Sequence, residues 1–387
     1  MEYDVIIVGA GPAGTAAAIT LARGGEKVLI VDSAPFPREK ACGDGLLPGA
    51  LSILAELGVL PKVLSGPGRS VAKIHVHAPS GATLTLGLKP QSPGRRFFIT
   101  GRYDFDHLLL QQALHSGATI LRDRVTDLLR KKEIITGVRV RNQGQPVTIT
   151  ARTVIGADGS ASIVRRRLMG EPPPVDSIAI RAYLEPCPDP ADAAHFFFHP
   201  DLFPGYAWVF PLSTTRVNIG LGLDLMRHRE SSRKLEERLK SFLRHALPAS
   251  WRLADAEIRS LKSGSYWFLA LHPSPVAGPG ALLTGDAAGL MDPLSGEGIR
   301  NALRSGIIAG ETALQMRDRR RSPEQLATDY TARIQRTILP GLTRSLRLQR
   351  RFLRSTNQFN RLIGTARRLY PLARPWLSRF STNFNFE

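Results

Sequence analysis

Two hydrophobic patterns alternate along the chain and predict two kinds of sheet. Residues 5–8 and 28–31 are continuous apolar runs on either side of a segment rich in small residues, as in buried parallel strands joined by a helix. From about Pro172 apolar and polar residues alternate, which is typical of an antiparallel sheet with one face inward. The alternation is clear at 178–184, 206–210 and 217–221. Residues 281–286 return to the first pattern, so we predict an α/β protein interrupted by an antiparallel sheet.

The segment from Tyr3 to Asp32 predicts a dinucleotide-binding βαβ unit. Gly9, Gly11 and Gly14 form a Gly-x-Gly-x-x-Gly turn between the first strand and the first helix. The first glycine permits the tight turn, the second lets the backbone approach a pyrophosphate, and the third lets the helix pack closely on the strand. The start of the helix offers free N–H groups to phosphates. Asp32 ends the second strand, where an acidic side chain can accept hydrogen bonds from a ribose.

The composition is that of a soluble globular protein. The 387 residues are 43% hydrophobic and 22% charged, which leaves room for two or three domains. Cys42 and Cys187 show no metal-ligand spacing and are too few for a disulfide framework. No basic segment precedes the first apolar run, and no uncharged apolar segment reaches the ~18 residues of a membrane span. We therefore expect a cytoplasmic protein without a signal peptide or a metal site.

The net charge of +19 predicts an anionic partner. We find no nucleic-acid motif and no aromatic residues interleaved with the charges, so nucleic acid is not expected. Ten arginines and no acid lie between Arg344 and Arg379, with apolar residues among them. This pattern favours a basic amphipathic helix on an anionic membrane, which would place the protein peripherally at the inner face. A helical cap on the core with solvated arginines is the alternative.

Four further segments carry candidate chemistry. Residues 41–46, Ala-Cys-Gly-Asp-Gly-Leu, lie in a loop that is too long for a plain connector, and long ordered loops are usually functional. Residues 157–160, Ala-Asp-Gly-Ser, end a predicted strand. Residues 204–211 read Pro-Gly-Tyr-Ala-Trp-Val-Phe-Pro. Residues 285–299 begin with Gly-Asp-Ala-Ala and end with Gly-Glu-Gly-Ile before a core helix.

These segments, with the glycine turn, resemble the geranylgeranyl reductase family of FAD-dependent oxidoreductases. That family is part of the flavin monooxygenase-like superfamily, which shares the p-hydroxybenzoate hydroxylase fold. Residues 204–211 match the family pattern PxxYxWxFP, and the resemblance covers roughly residues 1–310. It implies an α/β fold with a discontinuous Rossmann-like FAD-binding domain, an inserted antiparallel-sheet substrate domain and a helical C-terminus.

The change of pattern and the resemblance together predict domain boundaries. The FAD-binding domain is expected at 1–68, 93–172 and 272–335. The sheet domain is expected at 69–92 and 173–271, and a basic helical C-terminal region at 336–387.

The resemblance also implies how FAD is held. Asp286 would accept a hydrogen bond from a ribityl hydroxyl, and the helix starting near Gly296 would direct its positive end at the flavin N1–C2=O edge. Arg102 would touch FAD, and Arg38 would either steady a phosphate or the loop, or be solvated. Asp158-Gly159 would close the site, or form only a turn. The predicted cofactor set is Gly9, Gly11, Pro12, Ala13, Gly14, Asp32, Ser33, Arg38, Cys42, Gly43, Arg102, Val125, Asp158, Gly159, Gly285, Asp286, Pro293, Gly296, Gly298 and Ile299.

Cys42, Tyr206 and Trp208 are the predicted catalytic residues. The resemblance places Cys42 beside the flavin, as a proton donor or as part of the cavity wall, whereas a buried structural cysteine is the alternative. The period-two spacing of Tyr206 and Trp208 puts both on one face of a strand. In the family that face lines the substrate cavity, and residues 196–198, all phenylalanine, are expected to extend an apolar wall.

The predicted reaction is the saturation of C=C bonds in a polyprenyl (geranylgeranyl-type) chain on a lipid, quinone or pigment. An isolated alkene is not electrophilic, so hydride transfer from flavin N5 needs a proton donor and tight orientation. It also needs a dry tunnel for the chain. The electron donor, NAD(P)H or a small electron-transfer protein, stays open because we find no second βαβ nucleotide motif.

An FAD-dependent monooxygenase or halogenase acting on an aromatic or natural-product substrate is the alternative. Hydroxylases of the superfamily tend to have His after Gly-Asp-Ala-Ala and Gly-Gln-Gly before the helix, whereas this chain has Gly289 and Gly296-Glu297-Gly298. Halogenases carry Trp-x-Trp-x-Ile-Pro and a lysine near the flavin, and Lys73 and Lys89 have no recognisable setting for that role. A non-enzymatic, flavin-dependent membrane-surface protein is a third and poorer interpretation.

Overall fold

The computed structural model describes residues 2–87, 96–142, 145–187, 193–228, 232–245, 247, 257–315 and 321–380. In chain order the strands are β1 (Tyr3–Val8), β2 (Val28–Asp32), β3 (Gly45–Leu46), β4 (Arg69–Val71), β5 (Lys73–His77), β6 (Thr83–Gly87), β7 (Phe97–Ile99), β8 (Thr119–Arg122), β9 (Val125–Lys131), β10 (Ile134–Asn142), β11 (Gln145–Gly156), β12 (Ser177–Glu185), β13 (Ala193–Phe197), β14 (Tyr206–Pro211), β15 (Val217–Asp224), β16 (Glu257–Tyr266), β17 (Ala277–Gly278) and β18 (Ala281–Leu283). The α-helices are α1 (Pro12–Arg23), α2 (Pro48–Glu56), α3 (Leu60–Ser65), α4 (Arg102–His115), α5 (Ile163–Met169), α6 (Ser232–His245), α7 (Ile299–Leu314), α8 (Pro323–Thr337), α9 (Leu339–Phe352) and α10 (Thr356–Phe380). A 3-10 turn, Gly285–Ala288, follows β18.

The first large sheet has parallel strands at its centre, in the order β17-β18-β11-β1-β2-β8. Strand β1 pairs in parallel with β11 on one side and with β2 on the other, so that Val5 lies opposite both Thr153 and Val28. Ile6 and Ile7 point to opposite faces of β1 and both are fully buried, which explains the continuous apolar run in the sequence. Strands β9 and β10 continue from β11 as an antiparallel meander. The predicted Rossmann-like sheet is confirmed.

Small residues bring helix α1 close to both β1 and α7. A Cβ atom added to Gly14 would lie 1.9 Å from the carbonyl oxygen of Gly9, and one added to Gly306 would lie 2.2 Å from that of Ala13. Neither position therefore accepts a larger side chain without moving α1. This close packing fixes the first turn of α1 over the end of β1.

The second large sheet runs in the order β16-β12-β15-β14-β13-β5-β6. Its pairings are antiparallel except for β13 with β5, which is parallel. One face is covered by α6, whose Leu235, Leu239 and Phe242 are buried against it, as the apolar stripe of that helix predicts. The other face carries Trp208 and Phe210 and faces the first sheet across a cavity.

A small antiparallel sheet, β3-β7-β4, lies between the two large ones. Strands β5 and β6 join the second large sheet, whereas β4, at 69–71, pairs with β7 in the small sheet. The chain therefore passes between the sheets more than once near residues 69–99. The predicted domain boundaries stay a prediction, and position 89, like the rest of 88–95, lies outside the described residues.

The C-terminal helices cap the molecule. Helix α8 begins with a capping box between Ser322 and Gln325, and the buried Tyr330 hydroxyl donates to the carbonyl oxygen of Leu283 at 2.6 Å. On α10, Phe359 and Ile363 pack against the edge of the second sheet. These two residues follow the helical-cap interpretation of the tail, whereas the membrane contact stays a prediction. Within the described part of the chain, no helix combines the length and apolarity needed to cross a bilayer.

Candidate active site

A cavity of about 890 Å³ is lined by residues of both large sheets and of the loops between them. Its walls include every member of the predicted cofactor set except Gly14, together with the predicted catalytic residues Cys42, Tyr206 and Trp208. Gly14 lies behind the turn against the Gly9 carbonyl group instead. Residues from distant parts of the sequence are thus brought to one site.

The nucleotide end of the cavity is the turn between β1 and α1. Gly9 has φ +103°, and a Cβ atom there would lie 2.4 Å from the Ala157 carbonyl oxygen, so only glycine fits. Gly11 precedes α1 and provides no side-chain cap, which leaves first-turn N–H groups available to an anion. The Asp32 carboxylate accepts hydrogen bonds of 2.8 Å from the amides of Ala10 and Ala34, so it holds the turn as well as lining the cavity.

A buried charge cluster lies beside this turn. Arg102 donates two hydrogen bonds of 2.7 Å to Asp106, and Arg38 is 3.1 Å from the same carboxylate. The Arg38 side chain is only 18% exposed and its Nη2 would lie 3.5 Å from a Cβ atom on Gly11. Arg38 is therefore held beside Gly11 of the glycine turn rather than solvated, and a pyrophosphate at this turn would meet an oriented guanidinium group.

Asp158 has a structural partner as well as a place in the cavity wall. Its carboxylate accepts hydrogen bonds from the Ser162 hydroxyl at 2.5 Å and from the Ile163 amide at 2.7 Å, at the start of α5. Burial raises the pKa of Asp158, although these hydrogen bonds favour its charged form. The Asp158-Gly159 segment thus anchors α5 and closes one side of the cavity.

The predicted flavin end contains Asp286, the turn that follows β18, and the start of α7. Gly298 precedes α7 without a side-chain cap, and a Cβ atom there would lie 3.4 Å from Asp286 Oδ1. The partly buried Glu297 accepts a hydrogen bond of 2.7 Å from the Arg300 amide, and burial raises the pKa of Glu297 to about 7. The Glu297 carboxyl group therefore occupies one first-turn amide of α7, at the predicted flavin end of the cavity.

Lys40 is a cavity residue that the sequence interpretation missed. Its Nζ lies 3.1 Å from Asp286 Oδ2 and would lie 3.6 Å from a Cβ atom on Gly159. It therefore reaches the predicted flavin end of the cavity. Its position two residues before Cys42 in a long loop was the available signal.

Cys42 lies where the cofactor end meets the aromatic end. The thiol is partly buried, and burial raises its pKa above the ordinary value, opposed by the nearby Arg102 guanidinium. The amide of Asp44 donates to Cys42 Sγ at 3.3 Å. The adjacent Gly43 packs on the aromatic strand, since a Cβ atom there would lie 3.1 Å from the Phe210 ring. Cys42 is thus a neutral thiol at the junction.

Aromatic rings form the other end of the cavity. Tyr206 and Trp208 lie on the cavity face of β14 with ring centroids 6.1 Å apart, as their spacing predicts. The ring centroid of Phe196 lies 5.4 Å from that of Tyr206 and 5.0 Å from that of Phe210. The Tyr206 hydroxyl donates to the Ser295 carbonyl oxygen, and burial raises its pKa. The rings therefore present carbon surface to the cavity.

The predicted wall of three phenylalanines is wrong in part. Phe196 lines the cavity, but Phe197 points to the opposite face of β13, where its ring stacks on His77 at 4.2 Å. Phe198 follows the strand and packs against Phe359 of α10, with the two ring centroids 4.4 Å apart. Alternation along a strand separates neighbours, so a run of three cannot share one face.

A buried polar network behind Cys42 was also missed. Asn218 donates to Asp44 Oδ2 at 2.7 Å and to the Cys42 carbonyl oxygen at 2.8 Å, and it accepts from Trp208 Nε1 at 2.8 Å. The Tyr183 hydroxyl donates to the same Asp44 oxygen at 2.7 Å. The network therefore fixes the position of the Cys42 backbone and the orientation of the Trp208 ring.

Comparison with known proteins decides the family. Residues 2–334 match the FAD binding domain family. The chain belongs to this family of FAD-dependent oxidoreductases. The glycine turn, the two arginines and the uncapped start of α1 fit FAD, whose isoalloxazine ring supplies hydride chemistry when it is bound.

The relatives are reductases. The chain is 33% identical to menaquinone reductase of Mycolicibacterium smegmatis, over 80% of this chain and 75% of that protein. It is 33% identical to digeranylgeranylglycerophospholipid reductase 1 of Methanopyrus kandleri, over 81% of each chain. The structure of a geranylgeranyl bacteriochlorophyll reductase-like protein of Thermoplasma acidophilum superposes with a TM-score of 0.81 at 25% identity, covering 94% of this chain and 91% of that one. The predicted resemblance to the geranylgeranyl reductase family is confirmed.

Halogenases share the fold at lower identity. A myxobacterial chondrochloren halogenase superposes with a TM-score of 0.72 at 23% identity, covering 86% of this chain and 79% of that one. At that identity the likeness shows the fold alone.

Proposed function

We propose that the protein is an FAD-dependent reductase that saturates C=C bonds of a polyprenyl, geranylgeranyl-type chain on a lipid, quinone or pigment. The observation that carries the proposal is the continuity of the cavity from the FAD-binding turns, past Cys42, to the aromatic rings of β13 and β14. The relatives named as reductases of menaquinone and of digeranylgeranylglycerophospholipid support the same substrate class.

The aromatic end suits a prenyl chain. Rings from Phe196, Tyr206, Trp208 and Phe210 offer apolar surface, and the polar atoms of Tyr206 and Trp208 are already hydrogen-bonded to protein. A branched hydrocarbon would replace water there and gain hydrophobic stabilisation. The rings would thereby orient the chain and keep water from the reacting carbons.

Cys42 is the proton donor in this proposal. Reduced FAD would supply a hydride to one alkene carbon, and the other carbon needs a proton. Burial raises the pKa of the Cys42 thiol, so the group holds its proton at neutral pH and can deliver it. Its place at the junction of the two ends of the cavity suits that transfer.

The partner surface in this proposal is an anionic membrane. Arg361, Arg367 and Arg368 on α10 are exposed, and Leu362 and Leu369 beside them are 36% and 54% exposed. Basic and apolar side chains together favour the headgroup region of an anionic bilayer, where a prenyl lipid resides. We propose that the protein binds peripherally at the cytoplasmic face, and that NAD(P)H or a small electron-transfer protein reduces the flavin.

A halogenase or monooxygenase is the second candidate, and Lys40 is the observation that favours it. Lys40 lines the cavity, as a halogenase lysine would, whereas Lys73 is exposed on β5 outside the cavity. The partner of Lys40 is Asp286, at the predicted flavin end and away from the aromatic rings. That position favours a cofactor contact over a substrate contact.

The test is mass spectrometry of prenyl lipids after incubation with the purified flavoprotein, reduced anaerobically with dithionite. A mass gain of paired hydrogens in menaquinone or in a digeranylgeranyl lipid supports the reductase. No gain, with oxygen or halogen incorporated into an aromatic substrate under air with NADPH, supports the second candidate. Cys42→Ala should reduce turnover by ~10²–10⁴-fold with FAD retained.

A further inference from the structure

Asp44 is a buried acid to which neither FAD binding nor substrate binding assigns a role. It is completely buried and lies behind the cavity wall rather than in it. Its Oδ2 accepts hydrogen bonds from Tyr183 and Asn218, but Oδ1 is buried and, among the described residues, has no hydrogen-bond partner. Such an oxygen is costly unless it carries a proton, because a neutral carboxyl group needs less solvation.

The Tyr183 hydroxyl lies between two carboxyl groups. It is 2.7 Å from Asp44 Oδ2 and 3.4 Å from Glu39 Oε2. The Glu39 side chain is 21% exposed, whereas Tyr183 and Asp44 are buried. A hydroxyl group can accept from one side and donate to the other, so these three groups connect solvent to the buried acid.

We propose that Glu39, Tyr183 and Asp44 form a proton relay that returns a proton to the Cys42 thiolate after each double bond is reduced. The proposal rests on the proposed function, because saturation of an alkene consumes a proton at every turnover. Asp44 lies two residues after Cys42 in the sequence, and the backbone amide of Asp44 donates a hydrogen bond to Cys42 Sγ. The relay gives the proton a route that does not cross the aromatic surface where the chain would lie.

The steps balance in protons and electrons. Reduced FAD would supply a hydride to one alkene carbon and be oxidised, while Cys42 Sγ gives its proton to the other carbon and is left as a thiolate. The Asp44 carboxyl group passes its proton to the thiolate and becomes a carboxylate. That carboxylate takes a proton from the Tyr183 hydroxyl, which takes one from Glu39, and Glu39 takes one from solvent.

The direction of transfer agrees with the electrostatics. Burial raises the pKa of Asp44 to about 6 and raises that of the Cys42 thiol above its ordinary range, so the carboxyl group is the stronger acid. The charged and titratable groups facing Asp44 are the guanidinium groups of Arg181 and Arg102, the Tyr183 phenol and the Cys42 thiol. The two arginines stabilise the carboxylate that remains after transfer.

Tyr183→Phe tests the relay in turnover. It removes the hydroxyl but keeps the ring, on which the guanidinium groups of Arg181 and Arg216 stack at 4.2 Å. We expect kcat for prenyl reduction to fall about 10–100-fold with KM and FAD affinity retained. The loss should grow as the pH rises above about 6, because Asp44 is then mostly ionised, and the solvent isotope effect should increase.

The matched control is Asp104→Asn. Asp104 is an exposed acid close enough to Glu39 for the two charges to interact, and it is not a member of the relay. It should leave the pH profile and the isotope effect as in the native protein. If Tyr183→Phe also leaves both as in the native protein, the relay is overturned.

A second readout needs no substrate. Infrared spectroscopy of the FAD-loaded protein in deuterated buffer at about pH 5, where Asp44 is mostly protonated, follows exchange of the Asp44 carboxyl proton, and the band is assigned by its loss in Asp44→Asn. Exchange should slow about tenfold or more in both Tyr183→Phe and Glu39→Gln, since each removes one carrier. Glu39→Gln also removes the counter-ion of the buried Arg181, so its unfolding midpoint is measured beside the exchange rate.

The two readouts separate the possible failures. If the native protein reduces no prenyl lipid but exchange slows in both variants, the relay stands and the proposed substrate is wrong. If lipids are reduced and exchange is equally fast in all proteins, the relay is wrong and the proposed function stands.

Discussion

Asp106→Asn is expected to be among the most destabilising single substitutions near the cofactor turn. Asp106 is completely buried and binds Arg102 through two hydrogen bonds of 2.7 Å and Arg38 at 3.1 Å. Asparagine keeps the volume but removes the negative charge, and the buried Arg102 is left without a counter-ion. Breaking such a pair costs about 3–5 kcal/mol of the free energy of unfolding.

The chain offers a matched control in Asp127→Asn. Asp127 also pairs with two arginines, Arg167 at 3.2 Å and Arg139 at 3.6 Å, but its side chain is 39% exposed. Solvent screens both pairs, so the same substitution should cost less than about 1 kcal/mol. The two variants differ mainly in burial.

The assay is urea unfolding of the FAD-free proteins at pH 7, followed by circular dichroism and by tryptophan fluorescence, with the midpoint and slope compared. FAD affinity of the folded variants is measured in parallel by flavin fluorescence and should fall for Asp106→Asn alone, because Arg38 and Arg102 lose their orientation. Equal losses in the two variants, both below about 1 kcal/mol, would refute the argument that burial makes this cluster strong.

Three further predictions concern the cofactor, the buried acid and the tail. Asp286→Ala should weaken FAD binding about 10–100-fold through loss of a charged hydrogen bond, and full FAD occupancy with full activity would contradict the assignment. Asp44→Asn should stabilise the protein by up to roughly 3 kcal/mol at pH 8, with the gain vanishing below about pH 4 in urea titrations. The sign follows because burial raises the pKa of Asp44 from 3.8 to about 6, so the folded state loses stability as the pH rises through that range. Replacing Arg367 and Arg368 by Gln should weaken binding to phosphatidylserine liposomes roughly 30-fold, at about 1 kcal/mol per arginine. The exposed pair Arg122 and Arg141 is the control, and equal binding by both double variants would favour a tail that only caps the core. Substitution is preferable to deleting the chain after Gly341, because Leu342 and Leu346 are buried.

Local signals made the cofactor half of the site predictable. A backbone requirement is combined with a short sequence pattern at each of these places: the glycine turn, the strand ends at Asp158 and Asp286, and the start of α7. The core helix expected after Gly296-Glu297-Gly298 occurs as Ile299–Leu314. Period-two alternation also placed Tyr206 and Trp208 on one face correctly.

Long-range polar partners were not predictable in the same way. Asp44 meets Tyr183 across 139 positions and Asn218 across 174. In the sequence, Tyr183 and Asn218 are merely polar or aromatic members of alternating strands, and Asp44 is one more residue of a glycine-rich loop. Lys40 was overlooked for the same reason, because its partner Asp286 is 246 positions away.

The contact between Arg181 and the loop before Cys42 bears on the construction of chimaeras. Arg181 is completely buried in β12, pairs with Glu39, and donates to the carbonyl oxygens of Lys40, at 2.9 Å, and Ser260, at 2.6 Å. A recombination crossover that exchanged the second sheet between relatives but kept the loop would pair this arginine with a foreign partner. Residues 38–46 and β12 should therefore be exchanged as a unit, even though more than a hundred residues separate them in the sequence.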